Sequence, residues 1–212
     1  MSDDVIQRAH AFLRATREGR LRFDGDAVTV KIVIAPDGWP VAPVMVAMLQ
    51  AVETVLELPD DAEESLHLMV TLEPFTEDGP HAALADRWRI YHGDPPDVRW
   101  ARMQVDAARF QGHFIDGEAL VVPNPLAPLE PALLRRLNAG DRAPLSAACA
   151  AACVAAEKPL AVGIDPDGVD VRRAFDVVRV TFPERLSAEA AESADAAGAA
   201  LEAALRSAAS KG

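Results

Sequence analysis

VRWARMQVDAARFQGHFIDGEAL, residues 98–120, is the stretch whose reading decides the fold. It reads as two β-strands back to back, bent at Ala107-Ala108, at the closing edge of a small antiparallel barrel. The segments before it supply the other strands. AVTVKIVIA (27–35) is dense in β-branched residues, as strands are. Pro36-Asp37-Gly38 then turns the chain, proline presetting φ and glycine taking a positive φ cheaply. VAPVMVAML (41–49) is expected to return as the partner strand. It is apolar on both faces, so its outer face needs cover from a helix or a second subunit. Residues 52–58 form a further short strand, followed by an acidic turn. In 66–72, Leu66, Leu68, Val70 and Leu72 alternate with His67, Met69 and Thr71, the pattern of a half-buried strand. DRWRIYH (86–92) sets Arg87, Arg89 and Tyr91 against Trp88 and Ile90, and is read as a strand with a helical turn as the alternative. Ahead of all this, Val5, Ile6, Ala9, Phe12 and Leu13 recur at helical spacing over 3–17, and the polar GRLRFDGD (19–26) is expected to end that helix.

The composition shifts at PNPLAPLEP (123–131), a proline-rich linker. Beyond it come a helix over 130–137, a second over 143–156, a hairpin turning at 165–168, a third strand over 177–182 and a last helix behind Ser187. The expected class is α+β: an antiparallel split β-barrel with an N-terminal helix over 1–122, then a small α/β domain over 123–212.

The chain carries 33 acidic against 21 basic residues, a formal charge of −12. That balance argues against nucleic acid and anionic membrane surfaces as partners. No run is long and apolar enough for a signal peptide or a membrane span. Cys149 and Cys153 give no disulfide framework, so a reducing cytoplasm is the expected location.

The order of PDGWPV (36–41), QVDAARFQGHF (104–114), LLRRLNAGDR (133–142) and GIDPDGVDV (163–171) before VVRVTF (177–182) resembles the pyridoxamine 5′-phosphate oxidase-like split barrels. It is most similar to their heme-utilisation branch. The resemblance implies a homodimer with its ligand near the subunit interface, heme in that branch and FMN in oxidase-like members. A plant relative of this architecture binds glutamyl-tRNA reductase, so an unidentified protein partner is also implied. Two departures stand out. Where the family carries Asn-x-Asp-His, this chain has Asn138-Ala139-Gly140-Asp141-Arg142, with arginine in place of histidine. The segment that usually contacts flavin reads ELPDDAEES (57–65), which is short and acidic.

Candidate chemistry is sparse. The histidines are His10, His67, His81, His92 and His113, with no HxH or HxxxH pair. His113 follows Gly112 in the family's turn and is the first residue to test as a heme ligand; its plain reading is a half-buried strand histidine. Arg87 and Arg89, expected on one strand face, could fork onto phosphate or propionate, or simply face water. Lys31 is the last lysine or arginine before Arg87. The window between them holds no lysine or arginine but does hold Asp37, Glu53, Glu57, Asp60, Asp61, Glu63 and Glu64, so the standard FMN phosphate site is expected to be absent. Cys149 and Cys153, four apart on an expected helix, are too few for a closed metal site. The expected function is a ligand-binding protein holding heme or a flavin near a dimer interface. The competing classes are a cofactor-free dimeric interaction or regulatory protein and an FMN-dependent oxidoreductase. No catalytic residue is assigned.

Overall fold

A computed structural model describes residues 3–59, 65–95, 97, 99–139, 141–154 and 156–210, with only the backbone of Ala188. The expected acidic turn at Asp60, Asp61, Glu63 and Glu64 lies outside the described residues. The chain divides into two compact units, Met1–Pro123 and Asn124–Gly212.

The first unit runs α1 (Asp3–Ala15), β1 (Glu18–Phe23), β2 (Asp26–Lys31), β3 (Val33–Ile34), β4 (Pro40–Pro43), α2 (Val46–Gln50), β5 (Thr54–Leu58), β6 (Leu66–Phe75), α3 (Ala82–His92), β7 (Trp100–Phe110), β8 (His113–Asp116) and α4 (Gly117–Leu120). Its strands form one antiparallel sheet in the order β2-β1-β5-β6-β7-β4-β3, with β8 added to β7. The two ends of that path, β2 and β3, are pieces of one run interrupted at Ile32. A single stretch therefore pairs with β1 through its first half and β4 through its second. The sheet curls into an antiparallel half-barrel with a seam at Ile32. Leu21, Leu56, Leu66, Leu68, Met103 and Ile115 fill the inner face, and α1 adds Ala9 and Leu13. Full burial of each such large side chain stabilises by about 1.5–3 kcal/mol.

Of the 98–120 stretch, β7 is interior to the sheet rather than at its edge, while β8 pairs with β7 alone. β7 is one continuous strand between β6 and β4. Its irregularity sits at Asp106, where Val70 pairs with Val105 but Met69 pairs with Ala107. One extra residue on β7 makes a bulge, which bends a strand without ending it. The strand then reverses at Gln111 and Gly112, both at positive φ (50° and 79°), a turn whose twist matches a tight hairpin.

Three expectations are corrected. GRLRF is strand β1, and its Arg20 and Arg22 alternate with buried Leu21 and Phe23. The partner strand expected over 41–49 stops at Pro43, and Val46–Gln50 is helix α2. The segment over 86–92 belongs to helix α3, because Leu84, Ala85, Trp88 and Tyr91 are its buried residues, a helical spacing.

The second unit runs α5 (Glu130–Ala139), α6 (Ala143–Ala151), β9 (Leu160–Asp165), β10 (Gly168–Arg172), β11 (Val177–Thr181), a 3-10 turn (Ala188–Ala191) and α7 (Ala194–Ser210). Its strands order β11-β10-β9, and the helices bury Leu133, Leu145, Leu201 and Leu205 with Val169, Val171 and Val180 of the sheet. The last helix starts later than expected: Ser187 precedes the 3-10 turn, and its side chain does not cap the backbone. α6 ends at Ala151, so Cys153 lies past it at φ 56° and is exposed, while Cys149 is buried. The two thiols do not share a helical face. Burial pushes the Cys149 thiol up from its ordinary pKa.

Candidate functional site

Helix α3 builds the site by latching onto the seam. Where β2 breaks into β3, carbonyls lose the regular ladder and need other donors. Trp88 Nε1 donates to the Lys31 carbonyl at 2.8 Å, and Arg87 Nε donates to the Ile34 carbonyl at 3.1 Å. His92 Nε2 lies 2.9 Å from the Ile32 carbonyl and is its donor, since a carbonyl only accepts. These α3 side chains hold carbonyls on both sides of the break, with the Trp88 ring 4.8 Å from that of His92.

A cleft of about 550 Å3 opens there, between β2, the β4–α2 corner and α3. Its apolar lining is Val28 and Val30 from β2, Val44, Met45 and Met48 from the corner, and Trp88 from α3. Lys31 and His92 are its basic groups; Glu18, Asp94 and Asp97 are its acids. Val28, Met45 and Val46 stay exposed, so the rim carries uncovered apolar surface.

The residues named from sequence disperse. Lys31 lines the cleft. Arg87 is drawn to the seam, with Nη2 also reaching the Tyr91 hydroxyl at 3.3 Å. Arg89 points elsewhere, as residues two apart on a helix must. It donates to Glu77 at 2.5 Å, and Glu77 also accepts from Trp100 Nε1 at 2.7 Å. Hydrogen bonds from Arg89 and Trp100 hold the Glu77 carboxyl below its usual range. The expected Arg87–Arg89 fork on one strand face therefore does not form. His113 is exposed on β8 rather than half-buried, and it lines no described cavity. Arg142 donates twice to the Asn138 carbonyl (2.8 and 2.6 Å), tying the chain that leaves α5. Asn138 in turn exchanges hydrogen bonds with Ala161 of β9 (2.8 and 2.9 Å). Among the described residues no group of three or more acids, histidines or cysteines could hold a metal ion.

Sequence reasoning missed Trp88, His92, Met45 and Met48 as site residues. The Trp88–His92 spacing of four was visible, but it puts both on one face only once the segment is read as helix.

No protein-family model matches the chain, and no curated protein matches it. A crystal structure of the protein Atu2129, of unknown function, from Agrobacterium tumefaciens str. C58, superposes with a TM-score of 0.71 at 22% identity, covering 95% of each chain. At that identity the likeness shows the fold, an antiparallel half-barrel with helices. No helix among the described residues is long and apolar enough to cross a membrane.

Proposed function

We propose that this chain is a ligand-binding split-barrel protein of the heme-utilisation kind, whose site is the seam cleft and whose ligand is a largely apolar, planar molecule of heme class. The supporting observation is the cleft itself. About 550 Å3 lies within the range of small-molecule sites, and the wall is built from valine, methionine and tryptophan. Heme buries an apolar ring body and can leave its propionates at an open mouth, where Lys31 stands. Met45 and Met48 bring thioether sulfurs there, and His92 brings its second ring nitrogen, Nδ1, since Nε2 donates to the Ile32 carbonyl.

FMN fits less well. Its phosphate carries between one and two negative charges near neutral pH. Lys31 would have to hold it against Glu18, Asp94 and Asp97, and a site short of donors leaves phosphate desolvation uncompensated. Neither flavin chemistry nor any catalytic step is assigned to these residues. The exposed rim of Val28, Met45 and Val46 is where a second copy would cover the cleft, making the homodimer and the ligand parts of one reading.

Hemin and FMN titrations of the purified chain test this. The expected result is a Soret shift saturating near one equivalent, quenching of Trp88 fluorescence, and FMN weaker by about a hundredfold or more, the factor that two steps of 1.4 kcal/mol produce. His113→Ala should leave the heme spectrum unchanged, since His113 lies outside the cleft. Absent Soret and absent quenching would leave the cofactor-free interaction protein as the better reading. Tight FMN binding would restore the oxidoreductase.

A further inference from the structure

The three-stranded sheet of the second unit has two edges, β9 and β11, and they are finished differently. On β9 the backbone groups that point away from β10 are taken up by side chains. Asn138 exchanges hydrogen bonds with the Ala161 carbonyl (2.8 Å) and the Ala161 N–H (2.9 Å). The Ile164 carbonyl accepts from Asn124 Nδ2 at 2.7 Å, and the Ile164 N–H donates to Glu130 Oε1 at 3.0 Å. An edge sealed in this way offers no ladder to another strand.

β11 has no such seal. The Phe182 N–H donates to the Asp167 carbonyl and the Arg173 N–H to the Asp176 carbonyl, both at 2.8 Å. Those bonds fix the alternation. Val178 and Val180, opposite Val171 and Val169, bond to β10, so the N–H and C=O groups of Val177, Arg179 and Thr181 point outward. Among the described residues none of these three has a backbone partner on that side. Val177 is nearly covered, but Arg179 and Thr181 reach the surface. The Arg179 side chain is only 5% exposed while the residue as a whole is half-buried, so what it shows is main chain. Its guanidinium is drawn back over β10 to Asp170 and Asp165. The strand carries no proline or lysine to blunt the edge. Just ahead of it stands Phe175, 100% exposed, on a loop that Arg173 ties by forking onto Asp176 (Nε 2.7 Å from Oδ1).

We propose that β11 pairs antiparallel with β11 of a second copy about a twofold axis at Arg179, joining two three-stranded sheets into one. The strand complements itself in this register. Val177 meets Thr181, Val178 meets Val180, and Arg179 meets Arg179. Outward residues therefore meet outward residues, and each free N–H finds a carbonyl. The two Arg179 guanidinia leave the axis in opposite directions, each toward its own aspartates. Asp176 falls opposite Phe182 and Glu184 opposite Ala174, so two copies of a chain with net charge −12 meet here with no carboxylate facing another. Phe175 falls opposite Pro183, where each exposed ring gains cover. A five-residue strand and one ring per copy make an interface of the small, transient class, below about 1,200 Å2, so the pairing depends on concentration. It uses none of the seam rim and stands apart from the reading of the cleft.

The test follows backbone amide exchange of the full chain by NMR at rising protein concentration. The amides of Arg179 and Thr181 should pass from fast exchange to protection, while those of Val178 and Val180, already bonded to β10, stay protected throughout. Phe175→Ser, at a fully exposed position, should weaken the association about tenfold. Thr181→Pro removes an outward donor that the ladder to β10 does not use, and should weaken it by about as much. Val46→Asp, on the seam rim, should leave the protection and its concentration dependence unchanged, which separates this interface from cover over the cleft. Fast exchange at Arg179 and Thr181 at every concentration would overturn the proposal and leave the edge to a strand from another protein. So would protection of those two amides in a chain that sediments as a monomer, or undiminished association in Phe175→Ser.

Discussion

The chain turns twice on the same tripeptide, Pro-Asp-Gly, at 36–38 and at 166–168, and the two turns are secured differently. In the first unit Arg102 reaches from β7 to the Asp37 carboxylate, with Glu73 at 3.6 Å and the Trp39 ring 4.3 Å from its Cζ. Asp37 is 46% exposed, so water screens that pair. In the second unit Arg179 of β11 lies between Asp165 and Asp170, and all three side chains are within 8% of full burial. Burial alone would lower the Arg179 pKa; the charges of Asp170 and Asp165, with their hydrogen bonds, more than offset this and raise it. Identical turn chemistry thus bends the chain in both places. The arginine from a neighbouring strand decides how much stability rides on the bend.

The largest expected effect is at Arg179. Arg179→Ala removes the buried positive charge between two buried carboxylates and should destabilise the second unit by about 3–5 kcal/mol, whereas replacing all three groups together with apolar residues should cost far less. All three tryptophans, Trp39, Trp88 and Trp100, lie in the first unit, so their fluorescence reports that unit alone. Urea unfolding followed by circular dichroism should show the loss while the tryptophan transition holds its midpoint. Equal shifts in both signals would break the comparison.

A smaller effect is expected at Gly38. Its φ is +97°, and an added Cβ would lie 2.9 Å from both Val121 Cγ1 and the Val122 carbonyl oxygen. Gly38→Ala should cost about 1–3 kcal/mol in the tryptophan transition, since strain and collision act together. An unshifted midpoint would mean that the turn relaxes without touching 121–122.

Arg102→Ala should cost less again, about 1–2 kcal/mol, from a screened ion pair and a cation–π contact. Asp37→Asn should cost under about 1 kcal/mol. A loss at Arg102 as large as that at Arg179 would show that exposure of the partner carboxylate is not what separates the two turns.

The smallest effect is a pH dependence at the far end of the second hairpin. The hydrogen bond from Arg173 holds the Asp176 carboxyl below its ordinary value of 3.8. A depressed carboxylate contributes stability that is fully present above the unfolded pKa and lost as pH falls through the folded one. Asp176→Asn should therefore leave the thermal midpoint near pH 7 almost in place and make the acid limb below about pH 4 shallower. An unchanged acid limb would mean that the clip closes the loop without stabilising it.

Much of the barrel was legible in period alone. Leu66, Leu68 and Val70 are buried as their alternation implies, and helix α1 buries Ala9 and Leu13 as its spacing implies. The same alternation runs through GRLRF, Arg20 and Arg22 against Leu21 and Phe23, but its polar composition also fits the helix-ending segment expected there, and the structure makes it a strand. VAPVMVAML was not legible. An unbroken apolar run has no period, so nothing local separates strand Pro40–Pro43 from helix Val46–Gln50. DRWRIYH alternates within its own seven residues, and only Leu84 and Ala85, just ahead of it, turn the pattern helical. The candidate site went the same way. Lys31 was visible as an isolated base; Trp88 and His92 became site residues only when their segment became a helix facing the seam.

The sequence by itself determined the class of the fold, the Pro-Asp-Gly turns, the net negative charge and the lack of lysine and arginine between Lys31 and Arg87. Each follows from residue type or from spacing within about ten residues, where side-chain periodicity and turn stereochemistry operate. Only the tertiary structure decided that β7 is interior, that Ile32 interrupts an edge, that α3 side chains satisfy the carbonyls there, and that Arg179 is buried between two aspartates. Those facts depend on pairing and burial between residues far apart in the chain. A carbonyl or a guanidinium carries no mark in the sequence of which distant group will meet it.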